Sequence, residues 1–214
     1  MVDLIKLIFA LTIISAAAGL AMGVASSKTE ANIAARQAQI RQAAIASVFP
    51  EGVAIKEEKG EAPLPGKYWS ASKGGAPIGY AFEMSGRGYA GDIKFMAGID
   101  PSGKILGLTV LDQHETPGLG SRVNEVASTK YVWYPIGGDD KAKPWFSEQF
   151  EGLSSLKQIG IDKTAGEWHK LDDAKRAELR GKNTVTAITG STISTAAVTR
   201  SISQKAGEYL KALQ

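Results

Sequence analysis

Hydrophobic and polar positions divide the chain into an uninterrupted apolar run, a stretch of short alternating runs and a helical repeat near the C-terminus. Residues 7–27 carry no charge over 21 positions, and a helix rising about 1.5 Å per residue over that length crosses about 30 Å of hydrocarbon. Residues 1–27 therefore read as a single-pass transmembrane anchor. A cleaved signal peptide is the competing reading, because Lys6 precedes the run and Ala16, Ala17 and Ala18 supply small residues. The run exceeds a signal core in length, which favours the anchor. Ile33, Gln37, Ile40, Ala44 and Val48 continue a helical spacing to Phe49-Pro50, where proline ends it. Residues 28–66 thus form a helical stalk and linker, with the charged, proline-bearing stretch 56–66 as a loop.

Short runs follow at 67–72, 78–84, 93–99 and 105–111. Ile93, Phe95, Ala97 and Ile99 alternate with other residues, the mark of a strand with one buried face. Residues 73–77 supply one turn. Asp100-Pro101-Ser102-Gly103 supplies another, with proline second and glycine fourth as a type I turn prefers. The order is that of an antiparallel meander. Later, 172–180 reads as a short charged helix ended by Gly181. Val198, Ile202, Ala206, Tyr209 and Leu213 trace one face of a final helix. The fold class is α+β: one N-terminal transmembrane helix, then an antiparallel-sheet domain with packed helices over residues 67–214.

Composition narrows the function. Hydrophobic residues make up 43% of the chain, enough for a folded core, and the net charge is only +3. Lysines and arginines are interleaved with acids and form no stripe, so nucleic acid is not an expected partner. The absence of cysteine excludes disulfides, an iron–sulfur cluster on this chain's own thiolates and a cysteine zinc site. Charges flanking the apolar run (Asp3 and Lys6 against Lys28 and Arg36) scarcely bias its orientation. A short stub before a long apolar segment most simply leaves the N-terminus in the cytoplasm and the domain on the outer, periplasmic side of the inner membrane.

Gly86, Gly88 and Gly91 satisfy the dinucleotide fingerprint, but a strand follows where a helix is required. These glycines are expected to serve a tight connection or a close backbone approach. The loop from Asp112 to Gly120 is of the kind that lines sites, and Ser121 is expected to cap a short helix with Val123 and Val126 facing inward. His114 and His169 lack ligand spacing, so no metal site is expected. Trp133, Trp145, Trp168, Phe146 and Phe150 read as a core cluster ahead of one that flanks a planar ligand. Ser154-Ser155-Leu156-Lys157 matches a hydrolase motif without its companions. Thr189-Gly190-Ser191-Thr192-Ile193-Ser194-Thr195 places five hydroxyls at the start of the final helix, where free backbone N–H groups suit a side-chain cap or a phosphate.

Three segments carry a resemblance. Thr189-Gly190-Ser191-Thr192 resembles a flavinylation motif whose last residue is esterified to the phosphate of FMN. Together with Gly88-Tyr89-Ala90-Gly91-Asp92-Ile93 and His114-Glu115-Thr116-Pro117-Gly118-Leu119-Gly120, it is similar in order and spacing to the G subunit of Rnf-type electron transport complexes. It is more distantly similar to the C subunit of the sodium-translocating NADH:quinone reductase. The resemblance implies an FMN-binding domain, with covalent FMN on Thr192. It implies a site built from Thr189, Gly190, Ser191, Ile193, Ser194, Gly88, Tyr89, His114, Glu115, Thr116, Pro117, Gly118 and Leu119. It further implies partner membrane and peripheral subunits, a flavin transferase and contact with membrane lipid. The activity implied is electron relay in a complex that couples ferredoxin–NAD electron transfer to Na⁺ or H⁺ movement. A flavin-binding scaffold without covalent flavin and a Ser/Thr hydrolase are the rivals. The chain departs from the motif at Ser191, where alanine is usual, and at Thr186, where aspartate is usual.

Overall fold

The structure is a computed structural model that describes residues 2–126 and 143–213. Its contacts group into two units, Met1–Gln42 and Ala43–Gln214. The first unit belongs to helix α1 (Val2–Ser47). Leu4, Leu7, Phe9, Leu11, Ile14 and Leu20 are all exposed along it, so this part of the helix has no protein core to face and suits a lipid surround. The Thr12 hydroxyl donates to the Ile8 carbonyl and that of Ser27 to Val24, which satisfies these polar groups within the helix.

The second unit is built on five antiparallel strands in sequential order: β1 (Ala54–Lys59), β2 (Lys67–Lys73), β3 (Ala76–Arg87), β4 (Asp92–Ile99) and β5 (Ile105–Asp112). The four expected strands are present. β1 is a correction, since it occupies part of the stretch read as a loop. It is an edge strand, exposed at nearly every position, with a Lys56–Glu58 ion pair along it and a Lys67–Glu57 ion pair tying it to β2. With no buried face it leaves no apolar alternation to read. Lys73 pairs with Ala76 across Gly74 and Gly75, whose φ angles of 60° and 85° fit the primed turn of a two-residue hairpin. The 100–103 turn closes with Gly103 N donating to the Asp100 carbonyl at 2.9 Å.

Each sheet face buries a core. One face sets Phe82, Phe95, Ala97 and Ile99 against Val198, Ile202, Ala206 and Tyr209 of α4 (Thr192–Ala212), the expected helix face. Fully burying each Val or Ile contributes about 1.5–3 kcal/mol. Trp145, Phe146, Phe150 and Trp168 join this core as expected, while Trp133 lies outside the described residues. The other face packs Trp69, Ala71, Ala81 and Met96 against Ala44, Ile45, Val48 and Phe49. Gly98 and Gly107 pair across β4 and β5, and a Cβ on either would stand 2.6 Å from the Val48 carbonyl oxygen or 2.9 Å from its Cα.

Among the described residues the remaining elements are α2 (Trp145–Glu148), α3 (Asp173–Gly181), two 3-10 turns and a parallel pair, β6 (Gly160–Asp162) with β7 (Thr184–Thr186). Asp172 caps α3 by accepting from Lys175 N. Gly181 remains within the helix, and the left-handed residue after it is Asn183, with φ at 51°. The Asn183 side chain offsets that conformation by bonding both the amide and the carbonyl of Ser154.

Candidate functional site

Antiparallel pairing sends the β3–β4 connection, the loop after β5 and the N-terminus of α4 to one place. They enclose a cavity of about 500 Å³ lined by Tyr89, Glu115, Thr116, Leu119, Gly120, Gly190, Ser191, Thr192, Ile193 and Ser194, a size within the range of cofactor pockets. Nine of these ten are among the residues expected from the sequence. Gly120 is the addition. Gly88 lies behind the wall, where a Cβ would stand 2.5 Å from the Glu115 carboxylate. Thr189, His114, Pro117 and Gly118 are exposed and do not line the cavity.

Glu115 is the knot of the site. Its Oε1 accepts from the backbone amides of Ala90 at 3.0 Å and Gly91 at 3.4 Å, and its Oε2 accepts from the Ser194 hydroxyl at 2.5 Å. Burial acts to raise its pKa. The Ser194 hydroxyl and the two amides outweigh burial and hold the carboxyl below its ordinary range. The side chain of Glu115 thus binds the β3–β4 connection to the first turn of α4. Gly120 has no room for a Cβ, which would stand 2.3 Å from Oε2 and 2.6 Å from the Ser194 oxygen.

At the start of α4, Gly190 turns the chain with φ at 77° and Ser191 N donates to Ile188. Ser191 occupies the cap position but makes no side-chain cap bond, so the cluster does not act as an ordinary hydroxyl cap. Thr195 is buried and bonds Ile188 N and the Ser191 carbonyl. Among the described residues the Thr192 hydroxyl has no hydrogen-bond partner, and it lies half-buried on the cavity wall. The first-turn amides of α4 have no intrahelical acceptors, and the helix dipole adds positive potential there. Leu119 and Ile193, 43% and 54% exposed, and Tyr89, 73% exposed, give the cavity an apolar rim. An unpartnered hydroxyl, a helix N-terminus and an apolar rim fit a phosphate joined to a planar aromatic ring, as FMN is.

The other sequence features take structural places. Gly86 lies against α4, where a Cβ would stand 2.2 Å from the Ala197 carbonyl oxygen, and Gly88 N donates to Gly91 O in a strand connection. The short helix after the loop is a 3-10 turn, Gly120–Asn124, flanked by Leu119. Ser121 is a correction: its hydroxyl accepts from Gly118 N inside the loop. Val123 is buried, whereas Val126 is 43% exposed. Thr186 is fully buried, its amide and hydroxyl both bonded to Gln149 Oε1. Neither Ser154 nor Lys157 lines the cavity.

Sequence reasoning did not anticipate an ionic cluster beside the site, gathered around the buried Glu167. Arg122 Nη1 donates to Glu167 Oε1, Arg122 Nε to Glu125 at 2.8 Å, and Lys170 Nζ lies 2.8 Å from Glu167. The Arg122 hydrogen bond, with Lys170, holds the Glu167 carboxyl down at about 2. The cluster fixes the 3-10 turn that begins at Gly120.

Comparison with known proteins bears on this geometry. Residues 88–206 match the FMN-binding domain family. The G subunit of the ion-translocating oxidoreductase complex of Haemophilus influenzae is 35% identical over 157 residues, covering 69% of this chain and 68% of that protein. The G subunit of the Na⁺-translocating ferredoxin:NAD⁺ oxidoreductase complex of Acetobacterium woodii is 27% identical, covering 95% of this chain and 90% of that protein. The crystal structure of the C subunit of the Na⁺-translocating NADH-quinone reductase from Parabacteroides distasonis aligns with a TM-score of 0.48 at 21% identity, covering 77% of this chain and 78% of that one.

Proposed function

We propose a function from one premise: the chain belongs to the FMN-binding domain family and to the G subunits of ion-translocating oxidoreductase complexes. The protein is a membrane-anchored flavoprotein subunit that relays electrons inside a complex coupling ferredoxin–NAD electron transfer to Na⁺ or H⁺ movement. Residues 1–27 anchor it in lipid, and the domain lies on the outer side of the membrane. Other membrane and peripheral subunits receive and supply its electrons, and a flavin transferase loads it.

The observation that carries the site assignment is the Thr192 hydroxyl, unpartnered on the cavity wall at the N-terminus of a 21-residue helix. In this reading its oxygen bears the FMN phosphate. FMN supplies the redox chemistry, accepting electrons in pairs and passing them on singly. The chain's part is to hold and orient it. First-turn amides of α4 face the phosphate, and Leu119, Ile193 and Tyr89 offer apolar surface to the ring. Among the described residues no lysine or arginine lines the cavity, so no ion pair retains the phosphate. A covalent bond supplies that retention.

The test is flavin fluorescence of the denatured chain in a gel. Wild type and Thr192→Ser retain the signal and Thr192→Ala loses it. Fluorescence persisting in Thr192→Ala contradicts the assignment, and a dark wild-type chain from a flavinylating host favours a scaffold without covalent flavin.

A further inference from the structure

Glu115 is the one charged side chain on the cavity wall among the described residues, and no cation there neutralises it. Three segments converge on its carboxylate: the β3–β4 connection, through the amides of Ala90 and Gly91 and the missing Cβ of Gly88; Gly120, by lacking a Cβ that would collide with it; and the start of α4, through the Ser194 hydroxyl. Glu115 is 6% exposed, so water screens it little. Its hydrogen bonds keep the carboxyl ionised at neutral pH. A buried anion is unfavourable without compensation, yet the fold directs donors and two glycines to it.

Resting on the reading of this cavity as the FMN site, we propose that the Glu115 carboxylate sets the flavin's reduction potential, acting as a fixed negative charge that makes reduction harder. Uptake of two electrons and one proton leaves the ring system one negative charge richer than its oxidised form. A carboxylate held in the same cavity opposes that charge more strongly than it would in water. Ser194 and the Ala90 and Gly91 amides hold the carboxylate in place and do not themselves change charge. Glu115 is therefore a positioning residue for electrons, acting through its field.

The experiment is a spectroscopic redox titration of the flavin in the full-length, flavin-loaded chain in detergent, with dithionite as reductant. Fluorescence of the denatured chain first establishes that each variant carries covalent flavin. A wild type without flavin overturns the FMN reading itself, which separates that failure from failure of this proposal. Glu115→Gln removes the charge, Glu115→Asp keeps it, and Ser194→Ala removes one donor with the charge intact. The expected result is a rise in potential for Glu115→Gln of at least tenfold in the reduction equilibrium, 29.6 mV for a two-electron couple. Glu115→Asp and Ser194→Ala shift by less than half as much. An unchanged potential in Glu115→Gln overturns the proposal, as do equal shifts in all three variants, which report geometry. Loss of flavin from both Glu115→Gln and Glu115→Ala while Glu115→Asp retains it also overturns it, since the carboxylate then serves attachment.

Discussion

At the scale of the residue, the position of one oxygen separates Thr192 from its neighbours. Ser191, Thr192, Ser194 and Thr195 all carry hydroxyls, but Ser194 is committed to Glu115 and Thr195 to Ile188 and Ser191. Ser191 makes no cap bond, so Ser191→Ala should cost less than the about 0.5–2 kcal/mol of a working cap. Thermal melting and flavin fluorescence of this variant are both expected to stay near wild type. Glu167 gives a prediction in pH. Its folded pKa of about 2 lies below the about 4.3 of an unfolded glutamate, so its contribution is complete above the unfolded value and is lost as pH falls towards 2. Melting temperature should decline between pH 5 and pH 3, and Glu167→Ala, which leaves Arg122 with Glu125 alone, should cost about 1.5–3 kcal/mol at neutral pH and flatten that decline. Most residues that line the cavity were legible as motifs, because loop glycines and hydroxyl clusters declare themselves locally. The bond between Glu115 and Ser194 was not, since it joins residues 79 apart. Nor did anything in the sequence mark Thr186 as buried against Gln149.

Elements were readable wherever one face was apolar and the other was not. α4 carries such a face and lies where its periodicity placed it; β4 also lies where expected, but its single buried face is a correction, because Met96 and Gly98 are buried on the other side as well. β1 escaped because its side chains meet water and ion pairs on an open sheet edge, and β6 and β7 because three residues are too few to show a period. The glycines of the sheet hold a different kind of information. Gly98 and Gly107 are adjacent partners that accept the Val48 backbone at the end of α1. An added methyl at Gly107 has to displace backbone, so Gly107→Ala should destabilise the sheet unit by about 1–3 kcal/mol. Denaturant titration followed by tryptophan fluorescence measures this, because Trp69 packs in the same core as Val48. A neutral result would mean that the helix end moves away freely.

For the whole molecule, the unit Ala43–Gln214 includes the last turn of α1, whose Ala44 and Ile45, with Val48 just beyond it, are buried against the sheet. A chain starting at residue 43 should remain soluble and cooperatively folded, whereas one starting at residue 67 loses that packing and β1. Size-exclusion chromatography and thermal melting compare the two. Orientation is accessible because the chain has no cysteine. Gln204→Cys, exposed on α4, should react with a membrane-impermeant maleimide from outside intact cells, and reaction only after lysis would reverse the assigned topology. The most direct test of the covalent-flavin relay is peptide mass mapping of the protein from its native membrane. The tryptic peptide 183–200 should carry one FMN esterified at Thr192. The same peptide found unmodified, in cells that flavinylate other proteins, would contradict it.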